Sequence, residues 1–177
     1  MIDTLRQREG EPVTAYPVPG LSEAAEALDP AALWHRIEAY IAYRWHPRPV
    51  TWVLEGTGEW TPPLTPTTVE SIGRWYGTSF EPVEVYPAPL GYCFEHGTYQ
   101  VQATVGADEQ PPPEVMEAYR RLAEYLADDY DVGTVANHAS IGLGNALTME
   151  YDRPNAWQAK ALQHSGAADL LRRYRRV

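Results

Sequence analysis

The sequence predicts an α+β fold: a small helical bundle with an inserted antiparallel β-sheet, an extended N-terminal arm and a C-terminal docking tail. Three observations carry this reading. Helical periodicity is confined to three stretches, about 30–45, 113–128 and 155–171, while two-residue alternation marks much of 48–106. The 16 prolines and 13 glycines are too many for a purely helical bundle. The two ends differ from the middle, the first being broken by prolines and the last rich in arginine. With 44% hydrophobic residues, the 177-residue chain has the apolar material for a core without staples. It divides into an arm (1–20), one α+β domain (21–169) and a basic tail (170–177).

Taken in order, Pro12, Pro17 and Pro19 break any helix in the arm, and Val13, Tyr16 and Val18 give it apolar points to dock with. Asp29 can cap the first helix and Pro30 fits its first position. Leu33, Ile37 and Ile41 follow at helical spacing, and Pro47 stops the helix. In the β region Val50, Trp52 and Leu54 alternate with Thr51, Val53 and Glu55. A glycine- and proline-rich link, 56–66, follows. Val69–Tyr76 is a second strand, Gly77-Thr78-Ser79 a turn, and Phe80–Tyr86 a third strand that Pro82 demotes to an edge. Leu90–Phe94 and Thr98–Val105 are expected to form a hairpin around Glu95-His96-Gly97. Tyr99, Val101, Ala103 and Val105 supply its buried face. Pro111-Pro112-Pro113 opens a strong helix with Val115, Tyr119, Leu122 and Leu126 in one stripe. Residues 131–153 show little periodicity and are expected to be a loop that orders against a partner. Pro154 opens an alanine-rich last helix that Gly166 can bend.

Charge is distributed unevenly. Residues 153–177 carry six basic residues against Asp169 alone, a net +5; the remainder carries eight basic against 23 acidic, a net −15. An acidic body repels nucleic acid, and a short basic tail seeks an acidic partner. Thirteen of the 14 basic residues are arginine, which favours fixed bidentate pairs, although GC-rich codon usage would give the same bias. The single cysteine, Cys93, excludes an intrachain disulfide and a cysteine zinc cluster. No apolar run reaches the roughly 20 residues of a membrane span, and 1–10 has no signal-peptide pattern, so a reducing cytoplasm is expected.

No residue pattern supplies a catalytic set, a metal site or a cofactor site. His35, His46, His96, His138 and His164 share no ligand spacing; His35 and Glu38, one helical turn apart, read as a solvated pair. Gly142-Leu143-Gly144-Asn145 lacks the strand, lysine and helix of a phosphate loop. Cys93 reads as a packed thiol. Glu55, Glu59 and Glu95 lie among Trp52, Trp60, Trp75, Tyr76, Tyr92 and Tyr99, a composition that also suits sugar binding or glycoside hydrolysis. The plainer reading is that the aromatics fill a small sheet's core. In the tail, Leu171 and Tyr174 share a helical face as apolar anchors, with Arg172, Arg173, Arg175 and Arg176 around them. That pattern reads as a docking peptide, against the alternatives of a phosphate-binding arm and a solvated tail. Ala156, Trp157 and Ala161 of the last helix and Ile141 and Leu143 of the loop lack an obvious partner in so small a domain. They are the candidate subunit interface.

The order of these parts resembles a known family. A leading helix precedes the insert Trp60-Thr61-Pro62-Pro63-Leu64-Thr65-Pro66, then the stretch Gly97-Thr98-Tyr99-Gln100-Val101-Gln102-Ala103-Thr104-Val105-Gly106. The helix Pro113-Glu114-Val115-Met116-Glu117-Ala118 follows, and the chain ends in Ala168-Asp169-Leu170-Leu171-Arg172-Arg173-Tyr174-Arg175. Over most of 30–176 this resembles the head–tail connector (adaptor) proteins of tailed bacteriophages and gene transfer agents. The resemblance implies a virion structural protein and not an enzyme. It implies a homo-oligomeric ring, a dodecamer in most of the family, seated on the portal protein. Such a ring receives a stopper or tail-completion protein and extends a channel through which DNA passes. It implies a place in the neck of the virion, assembled in the bacterial host cytoplasm without a membrane. The portal-engaging role of the family's C-terminus falls on Leu170, Leu171, Arg172, Arg173, Tyr174 and Arg175. The alternative is a small aromatic-rich carbohydrate-binding or glycoside-hydrolysing domain.

Overall fold

The computed structural model describes residues 1–131, 138–143, 147–152 and 160–175. The fold is mixed α/β with an antiparallel sheet, and the chain divides into two compact units. One takes residues 1–16 and 42–110, the other 17–41 and 111–175.

The first unit is a six-stranded sheet of β1 (Ile2–Glu9), β2 (Arg48–Trp60), β3 (Thr67–Trp75), β4 (Phe80–Pro82), β5 (Tyr86–Ala88) and β6 (Gly91–Val105). The order is β1-β2-β6-β3-β4, with β5 beside the start of β6, and every pairing is antiparallel. The predicted alternation sets the core. Val50, Trp52 and Leu54 stand opposite Ala103, Val101 and Tyr99, and all six are buried. Trp60 and Phe94 continue this layer edge to face at 6.1 Å, and Phe94 meets Tyr99 at 4.7 Å. Trp52 and Trp60 still need partners for their indole N–H groups, because a buried donor without one costs about 1–3 kcal/mol.

β1 supplies those partners. Gln7 Oε1 accepts from Trp52 Nε1 at 2.9 Å, and Thr4 Oγ1 accepts from Trp60 Nε1 at 3.1 Å. The first half of the predicted arm is therefore the edge strand of the chain's own sheet. Ile2 is its one buried residue, and Thr4 and Gln7 remain exposed while they accept from the tryptophans, so no apolar alternation announces it. Close approach is required where β1 meets Gly56: a Cβ there would lie 2.2 Å from the Met1 carbonyl oxygen, and its φ is +122°.

Glu95-His96-Gly97 is not a hairpin loop; β6 runs straight through it. Gly56 faces Gly97 and Gly58 faces Phe94, so one residue of β2 opposes two of β6, and a bulge absorbs the extra residue. Thr57 donates its hydroxyl to the Phe94 carbonyl at 3.1 Å and holds the bulge. The predicted link after Glu55 is correspondingly part of β2 as far as Trp60. The predicted strand 80–86 is broken into β4 and β5, because Val83 and Val85 between them turn onto the core.

The second unit holds α1 (Glu23–Glu26), α2 (Pro30–Tyr40), α3 (Pro113–Asp131), α4 (Ala161–His164) and α5 (Ala167–Leu170), followed by a 3₁₀ turn, Arg172–Tyr174. Asp29 caps α2, accepting from Ala31 N at 2.9 Å, with Pro30 at the first position. α2 ends at Tyr40, earlier than the predicted residue 45: Ile41 is extended, and Trp45 is buried in the sheet unit. The α3 stripe is as predicted for Val115, Tyr119 and Leu122, which are fully buried, while Leu126 at its far end is half-buried; Trp34 of α2 packs 5.0 Å from the Tyr119 ring. α1 is tied to α3 by Ser22, whose backbone N–H and hydroxyl donate to the Glu124 carboxylate at 2.8 and 2.6 Å.

Over the described residues the predicted last helix is broken in two. Gly166 at φ +72° separates α4 from α5, and 155–159, with Ala156 and Trp157, lie outside the described residues. The expected loop 131–153 contains an antiparallel hairpin, β7 (His138–Leu143) with β8 (Leu147–Asp152), forming a separate two-stranded sheet. Ile141 pairs with Met149 and Leu143 with Leu147. The signal was present in the alternation of Ala139, Ile141 and Leu143 and of Leu147, Met149 and Tyr151.

Candidate docking surface at the C-terminus

The C-terminal segment is folded onto its own helices. Leu171 is completely buried and Leu170 half-buried, so Leu171 belongs to the core of the helical unit and is not a free docking anchor. Burying such a side chain contributes about 1.5–3 kcal/mol, more than any surface pair nearby. Beyond it the chain tightens into the 3₁₀ turn, with Tyr174 N donating to Leu171 O at 3.0 Å and Arg175 N to Arg172 O at 3.3 Å.

The side chains of this turn reach two helices of the same unit. The Arg173 guanidinium pairs with Glu114 in the first turn of α3, and the Tyr174 hydroxyl donates to the same carboxylate at 3.0 Å. Arg175 donates to the Tyr40 hydroxyl at 3.3 Å, and its guanidinium lies 4.6 Å from the centre of the Tyr40 ring. Contacts of this exposed kind contribute about 0–1 kcal/mol each, so they set the direction of the turn more than its stability. Arg172, Arg173 and Arg175 remain exposed and Tyr174 half-buried. Arg176 lies outside the described residues.

Along the same helix, Glu117 accepts from Arg120 at 2.8 and 2.9 Å and from Arg121 at 2.8 Å. These bonds hold its carboxyl down to about 2. The Ser22 donors likewise hold Glu124 below the usual carboxylate range.

The remaining candidates are dispersed. Ala161 is buried at the start of α4 and so is used inside its own unit, while Ile141 and Leu143 sit in β7 opposite Met149 and Leu147. Glu55, Glu59 and Glu95 do not converge: Glu55 is exposed, Glu59 accepts from Leu90 N at 3.2 Å, and Glu95 pairs with Arg74 at 3.5 Å. Trp52, Trp60 and Tyr99 are core residues, whereas Trp75 and Tyr76 are exposed. His35 is exposed but Glu38 is buried, so they do not form the expected solvated pair, and Cys93 is exposed instead of packed. Among the described residues no group of three or more His, Cys, Asp or Glu side chains is placed to hold a metal ion, and no helix is long and apolar enough to cross a membrane.

The sequence reading missed a polar cluster in the sheet unit. Arg44 donates to Glu9 at 2.8 and 3.2 Å, His46 Nδ1 lies 2.7 Å from Thr14 O, and Arg48 donates to the Tyr16 hydroxyl at 2.8 Å. The three basic residues are nearly inaccessible. Burial pushes the Glu9 carboxyl up, but hydrogen bonds and charge from Arg44, with help from Gln7 and Arg48, outweigh it and leave the group below its ordinary value. No periodicity announces this cluster, because the chain bends at Trp45 and His46 and enters the strand only at Arg48. Compared with protein-family models, curated proteins and solved structures, the chain matches none.

Proposed function

We propose that this chain is a head–tail connector, a structural protein of a virion neck that forms a ring between the portal and a stopper or tail. In this reading the helical unit is the ring-forming bundle, the basic C-terminus docks on the portal, and the ring, a dodecamer, extends the DNA channel. The observation that carries the reading is the ordered C-terminal turn: Leu171 anchors it inside, while Arg172, Arg173 and Arg175 are exposed around it. A preorganised basic element loses less conformational entropy on docking than a free tail would. An acidic partner surface would complement it, and an acidic body lets DNA pass without holding it. The order of elements that resembles connector proteins supports the same assignment.

The docking mode differs from that of a free peptide. Leu170, the exposed arginines and the accessible part of Tyr174 are the contact residues; Leu171 acts from inside. Electron microscopy of the purified protein mixed with the portal ring of the same virus tests the proposal. A second ring stacked on the portal is expected. Failure to oligomerise or to bind the portal across a broad concentration range overturns it.

A further inference from the structure

The free side of β3 carries a groove that the connector reading does not use. β4 covers β3 only over Gly73–Trp75, so among the described residues Thr67–Ser71 has β6 on one side and no strand on the other. Just beyond, Ile72 O accepts from Val83 N at 3.0 Å, so the segment after β4 forms the far wall of an open groove. The groove has a volume of about 450 Å³. Its floor is apolar, made by half-buried Val69, Ile72, Val83 and Tyr92. Its rim is acidic, with Glu70 and Glu84 exposed and no lysine or arginine in the lining. Glu70 is the bulged residue of β3, between Val69 and Ser71, and its carboxylate accepts from the Thr104 hydroxyl at 2.5 Å.

We propose that this groove is a strand-addition site for an extended segment of a partner protein in which apolar residues alternate with arginine or lysine. An unpaired sheet edge offers backbone N–H and C=O groups to an added strand. Alternate side chains of that strand point to one face, so every second residue meets the apolar floor. The rim selects the sign of the residues between, and like-charged segments are rejected. The inference stands on the sheet unit alone and is independent of the connector reading.

The test uses the full chain and a fluorescein-labelled heptapeptide of alternating arginine and valine, with its glutamate–valine counterpart as control. Binding is read by anisotropy, and its place by amide hydrogen exchange. The expected result is saturable binding of the arginine peptide, with exchange slowed over residues 67–71. The paired change Glu70→Gln and Glu84→Gln weakens binding by about 5-fold, as removal of two rim charges should. Glu84→Gln alone, which leaves the Thr104 hydrogen bond untouched, weakens it by about 2-fold. Glu11→Gln with Glu55→Gln, an equal change in charge elsewhere, leaves it within about 2-fold. Equal loss in both paired variants would mean general attraction to an acidic protein and would overturn the proposal. So would unchanged exchange at 67–71, equal binding of the glutamate peptide, or no binding at millimolar peptide. Self-association that the peptide displaces would identify a second copy as the occupant and would overturn it as well.

Discussion

The Tyr174 hydroxyl lies 3.0 Å from a Glu114 carboxylate oxygen, 60 residues away in sequence, and this bond ties the root of the basic C-terminus to the first turn of α3. The segment is consequently part of the fold before it meets any partner. Leu171→Ala should destabilise the helical unit by about 2–5 kcal/mol, because it opens a cavity at a fully buried site. Tyr174→Phe should cost less than about 1.5 kcal/mol, the net value of one hydrogen bond. Urea unfolding of both variants checks the order, which a free tail would not give.

Tyr119 makes the opposite prediction. Its ring is completely buried against Trp34, yet its hydroxyl is buried with no hydrogen-bond partner among the described residues. Burial also pushes its pKa up. Tyr119→Phe removes a desolvated donor and keeps the ring, so stability should rise or stay level, by up to about 1 kcal/mol. A loss above about 1 kcal/mol in thermal or urea unfolding would show that the hydroxyl is satisfied.

Acid should weaken the protein in a defined window. Glu9 and Glu117 both titrate below their ordinary value of 4.5 when folded, Glu117 at about 2. A carboxyl whose folded pKa is lowered gives its full stabilisation above the unfolded value and loses it as pH falls through the folded one. Stability should therefore decline from about pH 4.5 towards pH 2. Glu117 is a third exposed, so solvent screening keeps its share below about 1 kcal/mol. Glu9→Gln should cost about 2–3 kcal/mol at pH 7 and make this decline shallower, measured as unfolding midpoint against pH.

Gly56→Ala should unseat the start of β1. The added methyl would meet the Met1 carbonyl in a backbone conformation that alanine rarely adopts. A loss above about 1 kcal/mol is expected, with faster amide exchange concentrated at residues 2–4. Gly58 has similar φ but open space around its Cβ position, so Gly58→Ala should cost less.

Local chemistry made some elements readable from sequence and hid others. α3 was legible because Pro113 starts it and Val115, Tyr119 and Leu122 repeat on one face. The pairing face of β6 was legible from Tyr99 to Val105 because burial there is one-sided. β1 was not, because it buries only Ile2, its register shifts between Thr4 and Arg6, and its contacts to the rest of the sheet unit are polar ones from Thr4, Gln7 and Glu9. Glu95-His96-Gly97 has turn composition, but Gly97 pairs with Gly56 and Glu95-His96 form a bulge within one continuous strand. Leu171 shows the limit for the candidate site. Helical spacing says that it has an apolar partner, but not whether that partner belongs to its own chain.

The central claim, that the ordered basic turn docks on a portal ring, is tested most directly by reversing its charge without touching Leu171. Arg172→Glu, Arg173→Glu and Arg175→Glu together should leave the protein folded, at a cost of about 1–3 kcal/mol, since the Arg173–Glu114 pair and the Arg175–Tyr40 contact are lost and position 173 then faces Glu114 with like charge. Attachment to the portal, measured by co-sedimentation at fixed salt, should fall by about 10- to 100-fold, as rim attraction becomes repulsion. Attachment at the unreversed level by a folded triple variant would contradict the account.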